Sequence, residues 1–352
     1  MNTGAPAGRP GRCRKARPRS GRGGLRWTDV TSVEPGPVPG PDTGPHGPAI
    51  ARGEALGPGI KRICQEYLDR ACGALAHPTE GREAGIHTAR KAVKRVRAMI
   101  RLTRDVVGED AYRNENAVLR EAARGLAGAR DRAVLLLTLD RLSGDHAESL
   151  PPGILATLRE HLAGDGEAEA GKVAGGPEAV VDTLTTLRAC RRRFGAWAPE
   201  GPGPGMVPDE FGAIAPGLRR VYRQGRNRMR EAFRLGDATA FHLWRKSAKY
   251  LRYQVEALEP AWPEVLGSLA GAADRLAETL GDEHDFTVLG AAVEADPDLL
   301  PGEAERRLLL ALVAEEQDRL RAAARPLGEL VYAAPPGAFV RRMDAYWTAS
   351  RR

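Results

Sequence analysis

The chain has 352 residues, 42% of them hydrophobic and 28% charged, which is enough apolar material for about two domains. Aromatics make up only 5%, and Ala, Leu, Arg and Glu outnumber the β-branched residues, so helix is favoured over sheet. The net charge of +7 is misleading: residues 1–26 hold eight Arg and Lys and no acid, which leaves about −1 for the rest, so an anion-binding argument must rest on where the charges sit.

Residues 1–55 are rich in Pro and Gly, first basic and then almost uncharged, a composition that buries no core and predicts a disordered tail. From residue 58 the apolar periodicity is helical. It predicts helices over 58–76, 80–107, 110–143, 151–163 and 178–197. After the breaker APEGPGPGMVP (198–208) come 209–235, 237–259, 262–295 and 302–324. A last helix at 337–348 would pack back through Phe339, Val340, Met343 and Trp347, and Asp237 is placed to cap a helix.

The stretch IHTARKAVKRVR (86–97) returns as FHLWRKSAKYLR (241–252), with His, Arg, Lys, Lys and Arg at the same five steps. LAGARDRAVLL (126–136) similarly matches LGDEHDFTVLG (280–290). His87 to Asp131 is 44 residues and His242 to Asp285 is 43. These repeats predict an all-α chain made of a duplicated four-helix unit, one copy over 56–200 and the other over 201–352.

On a helical projection Ile86, Ala89, Val93, Val96, Ile100 and Thr103 form one core stripe, and Phe241, Trp244, Ala248, Leu251, Val255 and Leu258 form the other. His87, Arg90, Lys94, Arg97, Arg101 and Arg104 border the first stripe instead of lying opposite it, with Lys91 just beyond. His242, Arg245, Lys249 and Arg252 border the second, with Lys246 beyond. Like charges one turn apart repel by a few tenths of a kcal/mol, roughly, per pair. The first stripe has no acid from His87 to Arg104, and the second has none until Glu256. A run of charge is ordinarily a solvated surface; duplication at matched angles argues instead for a binding surface facing a repeating anion. Arg offers forked donors to phosphate oxygens and Lys a point charge.

Asp131 and Asp285, beside Arg130 and His284, would repel phosphate directly. They read either as partners that orient a stripe cation or as ordinary interhelical ion pairs. A further cluster, RRVYRQGRNRMR, places Arg219, Arg223, Arg226 and Arg230 one turn apart, where they could widen the same surface.

These residues resemble the CHAD domain (conserved histidine α-helical domain). Its two motifs look like HTARKAVKRVR and HLWRKSAKYLRY here, each followed by an LG-type element, LAGARD and LGDEHD, with the resemblance running over about 58–325. The departures are Ala127, where the first LG element expects glycine, and the long loop 164–177. The resemblance implies two pseudo-symmetric four-helix bundles that bind inorganic polyphosphate in a shared groove. It points to His87, Arg90, Lys91, Lys94, Arg97 and Arg101, and to His242, Arg245, Lys246, Lys249 and Arg252, as the residues that hold it.

Rival readings are nucleic-acid binding, and an accessory role beside a polyphosphate- or triphosphate-metabolising enzyme. The first would gain from aromatics between the cations, and the first stripe has none. Glu167-Ala-Glu169-Ala-Gly-Lys172 misses the E-x-E-x-K signature of triphosphate tunnels by one residue. There is no P-loop, Ser–His–Asp order or carboxylate dyad, so no catalysis is expected. Cys13, Cys64, Cys72 and Cys190 form no CxxC pair and read as buried thiols, without metal or cofactor. Without an apolar leader or a membrane-length run, the expectation is a cytoplasmic protein, with association to polyphosphate granules possible.

Overall fold

The computed structural model describes residues 43–44, 47–126, 131–146, 148–164, 176–196, 207–300 and 302–352. Residues 1–42 of the expected 1–55 tail, Cys13, Ala127, Arg130, the string Glu167–Lys172 and most of the two long loops lie outside them; the end of that tail is ordered, with Ile50 buried in the core and its N–H donating to the Ala257 carbonyl. Residues Pro41–Arg352 form one compact unit. Twelve α-helices are found among the described residues: α1 (Leu56–Ala76), α2 (Arg82–Leu102), α3 (Arg104–Val107), α4 (Glu109–Gly125), α5 (Asp131–Asp145), α6 (Pro152–Gly164), α7 (Pro177–Gly195), α8 (Ala215–Leu235), α9 (Ala238–Leu258), α10 (Pro263–Ala295), α11 (Glu303–Val331) and α12 (Pro336–Ser350). Extended structure there is limited to a two-residue antiparallel pairing of Thr43–Gly44 with Gly47–Pro48.

Both stripes predicted from periodicity are buried along their whole length, from Ile86 to Thr103 on α2 and from Phe241 to Leu258 on α9. Asp237 caps α9 as expected, its Oδ1 accepting from the Ala240 N–H at 2.7 Å. Phe339, Met343 and Trp347 bury the last helix against the body, and the Phe339 ring stacks on Tyr222 of α8 at 4.0 Å.

Two expected helices are broken. The 80–107 helix stops at Leu102, where the Thr103 hydroxyl bonds back to the Met99 carbonyl, and resumes as the single turn α3. The 110–143 helix divides into α4 and α5 because the two pieces have different neighbours. α4 packs on α2 and α7, whereas α5 packs on α6, α10 and α11. Conversely, α11 runs on past Pro326 to Val331. An interior proline costs about 3 kcal/mol. The extra turn is offset by burial of Val331 and Tyr332 and by Gly328, which lies flat against the Trp244 ring.

One hydrophobic core contains the apolar faces of α1, α2, α4 and α7 together with those of α8, α9, the N-terminal part of α10 and α12. A second core joins α5 and α6 to the C-terminal part of α10 and to α11, so helices that precede the 198–208 breaker complete a core of helices that follow it. Polar ties cross between the two motif helices: Gln254 Nε2 donates to the Ala98 carbonyl, and Arg95 Nη1 donates to Glu256 Oε2 at 2.6 Å. At Gly217, α8 approaches the end of α2 so closely that a Cβ would lie 2.1 Å from the Leu102 carbonyl oxygen. The placement of α2 against α8 and α9 sets the geometry of the site.

Candidate functional site

The stripes decide where the cations point. With Val93 and Val96 buried on one side and Ala248 and Leu251 on the other, the flanking residues of α2 and α9 turn toward each other at the edge of the shared core. There Arg90, Lys94 and Arg97 of α2 and His242, Arg245, Lys246 and Lys249 of α9 line one cavity of about 350 Å³. Tyr250, Tyr253, His284 and Asp285 share the wall. A second cavity of about 280 Å³ shares Arg90, Lys94, Arg245 and Lys249. It adds His87, Lys91 and Arg252, with the carboxylates Asp274, Glu278, Asp282 and Asp285 of α10. A third, of about 450 Å³, shares Arg97, Lys246 and Tyr250 with the first and adds Arg101, Arg104, Arg120 and Arg124 from the first half and Arg220 and Arg228 from the second. Shared lining makes the three contiguous.

Crowding of like charge leaves an electrostatic mark. The Lys91 ammonium is held below its ordinary value by burial and by the nearby Arg95 and Arg252, and the Lys246 ammonium by burial and by Arg228 and Arg97. Burial lowers the Arg97 and Arg228 guanidinium groups as well, with Arg101 adding to both. Burial, with His284, Lys246, Arg245 and Lys249 around it, pushes His242 down to about 3. Its imidazole is therefore neutral at pH 7, stacked 4.1 Å from the His284 ring, with a buried Nδ1 that makes no hydrogen bond among the described residues. Such a cluster favours any ligand that brings negative charge.

Gly281 explains the LG element physically. A Cβ on it would lie 3.0 Å from Arg245 Nη2, so the missing side chain is the space the guanidinium occupies. Around Arg101, aromatic rings replace acids: the guanidinium lies 4.1 Å from the Tyr250 ring centroid, and its Nη1 donates to the Arg97 carbonyl.

Several sequence expectations are placed differently. Arg252 is tied to internal acids, its Nε donating to Glu256 Oε1 at 2.5 Å and its Nη1 pairing with Asp274. Arg219 and Arg223 line a further cavity with Arg341 that meets the third one only at Arg220, Arg230 lines another beside Glu231, and Arg226 lines none of these. The reason is the rotation of α8: its buried face, Leu218, Val221, Tyr222 and Gly225, turns the register of Arg220, Gln224 and Arg228 toward the shared cavities instead. Asp285 stands on the cavity wall beside the stripe cations, a position compatible with either reading given to it above. The side chain of Asp131 lies outside the described residues. Sequence reading missed Arg120, Arg124, Arg220, Arg228 and His284. Arg220 and Arg228 sat in the cluster that was singled out, and the apolar stripe of α8 was the signal that would have chosen between its two faces.

Elsewhere, Cys64 and Cys190 are buried and Cys72 half-buried, with burial raising the Cys190 thiol to about 11. Among the described residues no group of three or more His, Cys, Asp or Glu could hold a metal ion, and no helix is long and apolar enough to cross a membrane.

The family model of the CHAD domain matches residues 62–294, about two thirds of the chain. The chain belongs to the CHAD family. The match takes in both motif helices and α10, and leaves α11 and α12 of this CHAD protein beyond it. A solved structure described as the CHAD domain from the plant Ricinus communis is similar to 78% of this chain over 93% of its own, with 23% identity and a TM-score of 0.48. No curated protein matches the chain.

Proposed function

We propose that this CHAD protein holds inorganic polyphosphate, without catalysis, in a basic groove between α2 and α9. One observation carries the reading: Arg90 and Lys94 of α2 and Arg245 and Lys249 of α9 line the same two cavities, although 155 residues separate Arg90 from Arg245. Cations crowded and partly desolvated without a matching number of acids carry an electrostatic cost that a phosphate chain relieves. The groove is a succession of cavities and not one closed pocket, which suits a linear, repeating anion. Among the described residues no Ser, Thr or Cys lines any of the three cavities, which favours holding over turnover. The cellular setting that follows is cytoplasmic, on or near polyphosphate granules.

The test is titration with polyphosphate of graded length against duplex DNA, RNA and ATP, at several salt concentrations. Affinity rises with polyphosphate length. Arg90→Ala with Arg245→Ala weakens it by about tenfold or more per residue, as expected for charge-assisted bonds of about 1.5–3 kcal/mol each, and leaves the helical circular dichroism unchanged. Equal or tighter binding of nucleic acid would transfer the groove to that ligand, with Tyr250 as the stacking surface.

A further inference from the structure

The two ends of the groove differ in sign balance. At one end the lining carries six Lys and Arg against four carboxylates on α10. At the other, the cavity of about 450 Å³ is lined, among the described residues, by eight Lys and Arg and no carboxylate. Three of those eight have acid partners just outside the cavity: Arg104 with Glu109, Arg124 with Glu121, and Arg220 with Asp105. Arg97, Arg101, Arg120, Arg228 and Lys246 form no ion pair among the described residues, and burial lowers Arg97, Arg228 and Lys246. Five cations are thus gathered around one space with Tyr112 and Tyr250 as its aromatic walls. The repeated motif accounts for Arg97 and Lys246 only, and Arg101 stands one turn beyond it on α2. The others come from α4 and α8.

A phosphate chain is also uneven in charge. An interior phosphate is bridged on two sides and has one ionisable oxygen. A terminal phosphate is bridged once and has two, the second losing its proton near pH 6 as in a phosphate monoester. The chain end therefore carries close to one additional negative charge at neutral pH and one more non-bridging oxygen able to accept from forked Arg donors.

We infer that the cavity around Arg97, Arg101, Arg120, Arg228 and Lys246, without a carboxylate among its described lining residues, seats the terminal phosphate of the chain, so that the polyanion lies in the groove in one direction. The interior phosphates then run along Arg90, Lys94, Arg245 and Lys249, and the chain leaves past the carboxylates of α10. This assignment rests on the polyphosphate reading and adds to it a preference for chain ends.

The experiment compares linear polyphosphate of one defined length with the same chain capped at both ends as alkyl esters. Capping removes the second ionisation and leaves the interior intact. Binding to the full-length protein is measured by calorimetry at pH 7.5. The free-ended chain binds about tenfold more tightly than the capped one, the effect of about one charge-assisted hydrogen bond. Arg120→Gln with Arg124→Gln, both at exposed positions of α4, reduces that ratio to below about twofold. Arg90→Gln with Arg245→Gln weakens both ligands and keeps the ratio. Equal binding of both chains by the unaltered protein, or a ratio that survives the Arg120/Arg124 substitutions, overturns the terminal seat and leaves the groove reading standing. Failure to bind either chain overturns both.

Discussion

Glu256→Gln perturbs the one buried ion pair that joins the motif helices. Arg95 and Glu256 have side chains only 7% and 4% exposed, and Arg95 Nη1 also donates to the Tyr67 hydroxyl at 2.9 Å. Burial alone would lower the Arg95 guanidinium, but Tyr67, Glu256 and Tyr253 more than offset this and keep it charged. Removing the carboxylate charge leaves Arg95 as an uncompensated buried cation, whereas Arg252 keeps its second partner, Asp274. Breaking such a pair costs about 3–5 kcal/mol, a large share of a total stability of about 5–15 kcal/mol. With an m-value near 3 kcal/mol/M, the urea midpoint falls by about 1 to 1.7 M. The joint substitution Arg95→Met with Glu256→Leu removes both charges and recovers most of that loss. The assay is urea unfolding followed by circular dichroism for the unaltered protein, Glu256→Gln and the joint variant. A shift below about 0.3 M in Glu256→Gln, or a pair no more stable than Glu256→Gln, would refute the view that an unpaired charge, and not lost packing, sets the cost.

Three other outcomes are expected. Gly281→Ala raises stability by up to about 1 kcal/mol, since alanine is the better helix former, yet weakens polyphosphate binding severalfold because the new Cβ displaces the Arg245 guanidinium; unchanged affinity would detach that glycine from the site. His242, at about 3 in the folded protein against an ordinary 6.5, takes up its proton more readily when unfolded, so its contribution to stability is present above pH 6.5 and is lost as pH falls toward 3. A bound phosphate stabilises the imidazolium, so affinity for an end-capped chain rises from pH 7.5 to 5.5 and His242→Gln abolishes the rise, both readable by calorimetry. Arg219→Ala with Arg223→Ala changes affinity by less than about twofold, because these residues line none of the three cavities that hold the motif cations; a loss comparable to that of Arg90→Ala would place them in the groove.

Much of this was legible because helices report themselves locally. The order of the helices follows from periodicity, and the stripes from Ile86 to Thr103 and from Phe241 to Leu258 are buried to the last residue. The identical placement of His, Arg and Lys beside both stripes needed only a helical projection. Less legible were the break between α4 and α5 and the continuation of α11 through Pro326, because each is decided by what the segment packs against.

What the sequence by itself determined is the helical class, the two cationic motifs and the face of each helix that carries them, since spacing along one helix converts directly into angle. Only the tertiary structure decided which cations share a cavity. It rotated α8 so that Arg220 and Arg228, and not Arg219 and Arg223, enter it. It tied Arg252 to Glu256 and Asp274, and brought Arg120 and Arg124 from α4 to the acid-free end. Those outcomes depend on distances between helices, and through-space proximity between charges has no counterpart in the spacing of residues along a single chain.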